Sequence, residues 1–255
     1  MIVTDGKRQA DLSAFAQAEI KDFNSLPKVY EKRLYQNIEL ILREASEFFM
    51  QRGDLHKTLR DIARRLGEAG IPYTVIGALA LAQHGFVRMT LDVDLLLTRE
   101  GLAAFKSLCL GRGYVPAFEG AQPLFRQMER KRQTFRAVET GVRIEIITSG
   151  EYPGDGLPKP VSFPDPSESS VDIGGIRVLT LERLVELKLA SGMSAPHRRR
   201  DLADVQDLIR VLGLKAEFAE QLDASVRASY RQLWDEADLP DKLQETWGRS
   251  VRGNL

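Results

Sequence analysis

Two aspartates, Asp92 and Asp94, stand one residue apart at the start of the apolar run 91–97. Alternate side chains of a β-strand point to the same face, so the two carboxylates project together while their apolar neighbours face the other way. Adjacent carboxylates repel each other, and one of them takes up a proton unless a cation lies between them. The pair therefore predicts a strand whose polar face either binds a divalent metal ion or, as is common for such a pair at a strand end, faces water.

A third acid, Glu145, lies in the later segment 141–150, GVRIEIITSG. Glu145 and Arg143 alternate there with apolar residues, so they share one face of a predicted strand. If this strand lies beside that of the two aspartates, three carboxylates meet. Such a set can hold two metal ions about 3.5–4 Å apart and so favour a phosphoryl-type transfer. Carboxylate oxygens select Mg²⁺ or Mn²⁺ over Zn²⁺, and no Cys/His cluster competes for the metal.

Cysteine content and charge narrow the class of protein. The one cysteine of the 255 residues, Cys109, excludes an internal disulfide and is typical of a reducing compartment. The 36 basic and 36 acidic residues leave zero formal net charge, which argues against a generally basic nucleic-acid-binding surface. The first residues lack the apolar segment of a signal peptide, and no apolar run is long enough to span a membrane. We therefore expect a soluble, cytoplasmic protein without a membrane partner.

Hydrophobic periodicity predicts an α/β (α+β) fold in three consecutive segments. They are an N-terminal helical extension over 1–70, a core with a small mixed sheet and flanking helices over 71–150, and a connector with a C-terminal helical bundle over 151–255. The connector is assigned to 150–175, where five prolines and five glycines occur. The predicted helices cover 29–51, the residues from Asp54 to Gly70, 78–84, 102–109, 181–191, 201–212, 215–235 and a stretch after Pro240, and the predicted strands cover 73–76, 91–97, 134–138 and 142–147.

The order of these features resembles the nucleotidyltransferase superfamily, whose pattern is a hydrophobic residue, Gly, Gly or Ser, a spacer, a strand with two acids, and a later strand acid. The corresponding residues here are Ile76-Gly77-Ala78, a spacer of thirteen residues, Asp92-Val93-Asp94-Leu95, and Glu145. The stretch IPYTVIGALALAQHGFVRMTLDVDLLL looks like the AbiEii-type and related toxin nucleotidyltransferases, and LERLVELKLA and RRRDLADVQDLI resemble their C-terminal pattern. The resemblance covers about residues 60–212.

This resemblance implies an enzyme that moves a nucleoside monophosphate from an NTP to an acceptor and releases pyrophosphate, with Mg²⁺ or Mn²⁺ as cofactor. The acceptor would be the 3′ end of tRNA or another RNA, a protein, or a small molecule such as an antibiotic. A toxin-like member would also have an antitoxin as partner. The implied catalytic and metal-binding residues are Asp92, Asp94 and Glu145, and the implied nucleotide-binding residues are Gly77, Ala78, Lys188, Arg200 and Asp201.

Ala78 departs from the family pattern, because it keeps a backbone amide but lacks the hydroxyl that a serine would offer to the triphosphate. This departure favours an alternative, a catalytically degenerate protein of the same fold that binds a nucleotide or a partner. Another alternative is a metal nuclease, since Glu186-Leu187-Lys188 spells the ExK motif. That motif requires a strand, whereas these residues have helical periodicity.

Lys188 lies on the apolar stripe of its predicted helix, which allows two interpretations. Its stem either extends along the edge of the core, or its ammonium group contacts the triphosphate, with Asp201 or Asp204 holding it otherwise. Acids in the first turn of a helix are also ordinary partners of the helix dipole.

Three further features have a structural and a functional interpretation. The basic run 126–136 either follows an RNA backbone or keeps a hairpin edge charged against aggregation. Arg88 and Thr90 are expected to brace the strand of the two aspartates. His84, on a short apolar helix, is expected to be a packed histidine rather than a ligand.

Overall fold

The computed structural model describes residues 38–117 and 133–237. Its elements in chain order are α1 (Ile38–Phe49), α2 (Gly53–Glu68), β1 (Tyr73–Val75), α3 (Gly77–Gln83), β2 (Asp92–Leu97), α4 (Arg99–Cys109), β3 (Tyr114–Pro116), β4 (Gln133–Ala137), β5 (Arg143–Thr148), β6 (Ser170–Ile173), β7 (Ile176–Leu179), α5 (Leu181–Ser194), α6 (Arg199–Leu212) and α7 (224–237). Short 3₁₀ helices cover Pro196–Arg198 and Ala216–Gln221. The fold class is α/β with mixed strand pairing and flanking helices, as predicted.

Two compact units divide the chain, and each is assembled from separate segments. The first unit draws on Met1–Ile71, Met89–Leu95 and Glu100–Ile146, and the second on Pro72–Arg88, Leu96–Arg99 and Ile147–Leu255. A compact unit is not necessarily a domain that folds on its own. The compact units therefore do not test the three predicted domains, which stay a prediction.

Helix α2 of the first unit follows the predicted hydrophobic stripe. Leu55, Leu59, Ile62 and Leu66 are buried, and their spacing places them on one face of the helix. The helix begins at Gly53, one residue before the predicted start at Asp54, so Asp54 lies in its first turn. An acid at that position still interacts favourably with the helix dipole.

In the first unit, the strand of Glu145, β5, lies directly beside the strand of the two aspartates, β2. The strand order is β3-β4-β5-β2. Strands β4 and β5 form the predicted antiparallel hairpin, with Thr134 opposite Glu145 and Arg136 opposite Arg143. The apolar residues of β5 alternate with the two charged ones, and Ile144 and Ile146 are fully buried. This pattern fixes the register, because a slip of one residue would turn the charged side chains into the core.

The second unit contains a hairpin whose first strand and turn lie in 150–175, the segment that was predicted to be a connector. Strand β7 pairs in parallel with β1 and antiparallel with β6, and the order is β1-β7-β6. Gly174 and Gly175 form the turn between β6 and β7, with φ of 62° and 82°. Two adjacent residues with positive φ are typical of a type I′ hairpin turn, which glycine adopts without strain. The high glycine content of this segment thus marks a turn between two strands.

The core of the second unit lies among α3, β7, α5, α6 and α7. Fully buried members include Leu81, Val178, Leu189, Leu208 and Tyr230. The predicted helix 215–235 is interrupted, because the Asp223 carboxylate accepts a hydrogen bond from the Ser225 amide, at 2.9 Å, and α7 begins at residue 224. This is the contact of an N-cap residue.

Two remaining sequence expectations concern His84 and membrane spans. His84, directly after α3, is half-buried, and its Nε2 lies 2.7 Å from the carbonyl oxygen of Leu179, as expected for a packed histidine. Within the described ranges, no helix is both long and apolar enough to cross a membrane.

Three predictions lie wholly or mostly outside the described residues. They are the basic run 126–136, the helix after Pro240 and the first part of the helix 29–51.

Candidate functional site

Asp92 and Asp94 lie at the start of β2, on one face of the strand. Val93 and Leu95 between and after them are fully buried, whereas both aspartates are half-buried. The alternation follows from the pleat of the strand, which turns the apolar residues to the core and the acids away from it. Thr90, just before the strand, donates its hydroxyl proton to Oδ1 of Asp92 at 2.6 Å. Thr90 therefore braces this carboxylate, as the sequence predicted.

The structure brings Asp92 and Glu145 together around one guanidinium group. Nη2 of Arg143 lies 2.7 Å from Oδ2 of Asp92 and 3.2 Å from Oε1 of Glu145. Arg143 and Glu145 share a face of β5, and β5 is the neighbour of β2 in the strand order. The two carboxylates therefore reach a single cation, and the charge of Arg143 offsets their mutual repulsion.

Arg143 was expected beside Glu145 on one strand face, without a role of its own. The signal was present in the sequence, since Arg143 is a basic residue two positions before an acid on a strand. Its pairing with Asp92, 51 positions away, depends on the arrangement of two strands.

The three acids have the right chemistry to bind a metal ion, but their side chains do not form a cluster of three around one point. Among the described residues, no group of three or more His, Cys, Asp or Glu side chains is arranged to hold a metal ion. The oxygen atoms of Asp92 and Glu145 already contact one shared cationic group, and Asp94 shares the strand face of Asp92. Hard oxygen donors fit Mg²⁺ or Mn²⁺. The convergence of all three carboxylates on a metal stays a prediction.

The turn after β1 requires a glycine at position 77. Gly77 has φ of 67°, a left-handed conformation that costs an L-residue with a side chain about 1–2 kcal/mol. Ala78, the departure from the family pattern, is buried at the start of α3. The structure therefore accounts for the glycine by backbone geometry alone, and the nucleotide-binding role of both residues stays a prediction.

Lys188 is a buried cation held by two buried carboxylates. Its Nζ lies 3.1 Å from Oδ1 of Asp201 and 2.6 Å from Oδ2 of Asp204, and the three residues are 6%, 5% and 2% exposed. Lys188 lies on α5, and both aspartates lie on α6. Burial of a charge is unfavourable unless the charge is paired, so the three side chains stabilise one another. The ammonium group does not extend to solvent, and the pairing anticipated with Asp201 and Asp204 is present.

Two arginines and a serine extend this network. Arg88 makes a two-point contact with Asp204, Nε to Oδ1 at 2.8 Å and Nη2 to Oδ2 at 3.0 Å. Oδ2 of Asp201 accepts hydrogen bonds from Ser191 Oγ at 2.7 Å and Arg198 Nε at 2.9 Å. Within the described part of the chain, these contacts join three cationic side chains to two carboxylates. The expectation that Arg88 braces the strand of the two aspartates was wrong, because its guanidinium fits the planar carboxylate of Asp204 instead.

The network also affects the acidity of Asp201. Burial alone raises the pKa of this carboxyl, but the charges of Lys188 and Arg198 and the hydrogen bonds from Ser191 and Lys188 outweigh it. The pKa of Asp201 therefore lies below its usual value. Arg200, the arginine that the resemblance places at the nucleotide, is exposed, and its role stays a prediction.

The structure gives no support to a nuclease site of the ExK type. Glu186 and Lys188 lie on α5, so the strand that this motif needs is missing from these positions. Glu186 accepts hydrogen bonds from Arg183 at 2.7 Å and from the Asp223 amide at 2.6 Å. Both carboxylate oxygens of Glu186 thus accept hydrogen bonds, one from within α5 and one from the backbone just before α7.

The chain is similar to several solved structures, but its sequence matches no known family. No family model matches the chain, and no curated protein matches it. The protein JHP933 of Helicobacter pylori has 18% sequence identity and a TM-score of 0.39, and the match covers 77% of this chain and 94% of that one. ANT(2″)-Ia in complex with adenylyl-2″-tobramycin has 14% identity and a TM-score of 0.45, with 69% and 96% covered.

A third similar structure is an antigenic nucleotidyltransferase-like protein from Paracoccidioides brasiliensis. Its identity is 15% and its TM-score 0.37, and the match covers 60% of this chain and 74% of that chain. Identities and TM-scores this low carry no conclusion about activity. What the chain does must therefore be argued from its own residues.

Proposed function

We propose that this protein is a metal-dependent nucleotidyltransferase, which transfers a nucleoside monophosphate from an NTP to an acceptor and releases pyrophosphate. The observation that supports it most directly is the approach of Asp92 and Glu145 to one cation, with Asp94 on the same strand face as Asp92. The glycine turn and the two-aspartate strand occur in the order that the sequence pattern of the superfamily requires.

The three acids share one expected task in this reaction, and Glu145 has a second one. Asp92, Asp94 and Glu145 would hold Mg²⁺ or Mn²⁺, which when bound neutralises charge on the phosphates. Glu145 would also accept the proton of the acceptor hydroxyl, because its carboxylate lies on the same strand face as the charged groups of the site. The remaining contribution of the protein is positioning and charge neutralisation.

In this proposal the nucleotide would contact the residues that the resemblance implies. Gly77 and Ala78 provide backbone amides at the turn after β1, and Lys188, Arg200 and Asp201 belong to α5 and α6. Lys188 would contact a phosphate as a point charge, which requires it to exchange part of its contact with Asp201 or Asp204 for the phosphate oxygens.

The proposal extends to the acceptor and to the biological role. The resemblance to AbiEii-type toxins favours RNA, above all the 3′ end of tRNA, or a protein as acceptor, with an antitoxin as partner. A small-molecule acceptor is equally compatible with the three acids and the glycine turn.

Incubation with each labelled NTP and Mg²⁺, in the presence of total RNA or with the protein alone, tests the proposal. We expect pyrophosphate release and label transfer in one of these reactions. The double variant D92N/D94N should lose both, because neither amide offers a negative charge to the metal. Equal activity in the double variant, or phosphodiester cleavage in place of pyrophosphate release, would contradict the assignment.

A catalytically degenerate binding protein is the second candidate, and one observation favours it. The guanidinium of Arg143 occupies oxygens of Asp92 and Glu145 that a metal ion would need. Nucleotide binding without pyrophosphate release, across all four NTPs and both metals, would support this candidate over the enzyme.

A further inference from the structure

Arg143 is placed where a divalent cation would compete with it. One nitrogen, Nη2, contacts Oδ2 of Asp92 and Oε1 of Glu145, and the other oxygen of Asp92 accepts the Thr90 hydroxyl proton. Each oxygen of Asp92 therefore already accepts a contact. A metal ion that binds Asp92 through Oδ2 shares that oxygen with Arg143, and the two positive charges repel each other.

The surroundings of Arg143 make this contact strong. The side chains of Asp92, Glu145 and Arg143 are 20%, 12% and 27% exposed, so water screens their charges only in part. Charge-assisted hydrogen bonds are about twice as strong as neutral ones, and here one nitrogen serves two carboxylates. Electrostatic repulsion between Asp92 and Glu145 is already offset by a side chain of the protein itself.

We propose that Arg143 is an internal counter-ion that competes with the divalent cation for Asp92 and Glu145, and that it thereby weakens the binding of that cation. The inference rests on the proposed function for the identity of the cation site. Arg143 acts through the two acids, so it is a positioning residue. Its removal should strengthen metal binding, the opposite of what the loss of a ligand would do.

Titration calorimetry with Mn²⁺ alone, without nucleotide, tests the proposal on the full chain. R143Q should bind Mn²⁺ roughly 10- to 100-fold more tightly than the wild type, because a competing charge-assisted contact is lost. R143K keeps a positive charge and should gain less than R143Q. The matched control is R136Q, which removes an arginine from the position opposite Arg143 on β4, where it donates to the Gly141 carbonyl, and should leave Mn²⁺ affinity unchanged.

Four results would overturn the inference: equal Mn²⁺ affinity in R143Q and the wild type, weaker affinity in R143Q, equal gains in R143Q and R143K, and no Mn²⁺ binding in either R143Q or wild type. The triple variant R143Q/D92N/D94N should lose the gain, and retention of the gain there would place the metal elsewhere and overturn it as well.

A second measurement uses the wild-type protein, so it does not depend on whether R143Q folds. The side-chain Nε–H resonance of Arg143 in wild-type protein, assigned by its absence from R143K, should shift during a titration with diamagnetic Mg²⁺. An unmoved resonance at saturating Mg²⁺ would contradict the competition. These experiments contain no NTP, so their result can be interpreted even if the proposed enzyme activity is not found. If pyrophosphate is released but R143Q gains no affinity, only the inference about Arg143 fails.

Discussion

At the scale of single residues, the Lys188 network has the largest energetic consequence. Lys188 lies between Asp201 and Asp204, and Arg88 and Arg198 contact the same two carboxylates. Removal of Lys188 takes a cationic partner from each of two buried carboxylates at once, which costs more than the loss of an exposed contact. Position 188 thus combines a structural contact with the proposed contact to phosphate.

The substitution K188M should therefore lower the free energy of unfolding by about 3–5 kcal/mol, because two buried aspartates lose their shared cation. Denaturation with urea measures this change. The control R210M removes an exposed arginine of α6 that lies 3.6 Å from Asp207, and should cost at most about 1 kcal/mol. Similar losses in both variants would mean that the buried pairing contributes little.

Nucleotide affinity of the same variant separates the two roles of Lys188. If Lys188 contacts a phosphate, K188M should bind a non-hydrolysable NTP with Mg²⁺ more weakly by about 1–3 kcal/mol. Isothermal titration at a temperature where the variant is folded gives this value. Equal affinities would leave Lys188 with the structural role alone.

Acid pH should weaken the fold through Asp201. The pKa of this carboxyl is lowered in the folded state, so the folded protein holds the proton less tightly than the unfolded chain does. The resulting stability is fully present above the unfolded value of about 3.9 and is lost as the pH falls through the lower folded value. Unfolding free energies measured from pH 7 down to about 2 should fall more steeply in the wild type than in D201N. Parallel curves would contradict this linkage.

At the scale of the elements, the turn between β1 and α3 depends on backbone geometry. Gly77 has φ of 67° at the first position of α3, directly before the buried Ala78. A side chain at position 77 would be strained, whatever the space around it. This turn sets the direction of α3 after the strand, so it links local conformation to the placement of the proposed nucleotide contacts.

Substitution G77A should lower the free energy of unfolding by about 1–2 kcal/mol, because alanine is strained in the left-handed region. The matched control G67A should act in the opposite direction. Gly67 lies inside α2 and has open space on the side where a methyl group would project, so alanine there should stabilise by about 0.5–1 kcal/mol. Thermal and urea unfolding of the two variants measure both signs, and a stabilising G77A would contradict the argument.

At the scale of the whole molecule, the proposed metal binding would couple the acids to the stability of the protein. A ligand that binds the folded chain but not the unfolded one stabilises it, by about 2.7 kcal/mol at a hundredfold excess over its Kd. We expect Mg²⁺ or Mn²⁺ to raise the Tm, and D92N/D94N to abolish this rise. An unchanged rise in the double variant would place the metal at other residues.

Local periodicity of the sequence determined much of the scaffold. The stripe of α2, the alternation along β2 and the hairpin of β4 and β5 follow from which residues are apolar, because burial requires one face of each element to be apolar. The sequence also determined that Asp92 and Asp94 share a face and that Glu145 lies with Arg143 on another strand. These are properties of neighbours in the chain, so they do not depend on distant packing.

Only the tertiary structure decided which charges meet. Arg143 pairs with Asp92 across 51 positions and Arg88 with Asp204 across 116, and no local pattern encodes such distances. The hairpin of β6 and β7 was missed for a related reason, since a segment rich in glycine and proline forms strands only when a neighbour such as β1 supplies hydrogen bonds. The sequence therefore determined where the carboxylates stand, and the fold decided that an arginine of the protein itself is their present counter-ion.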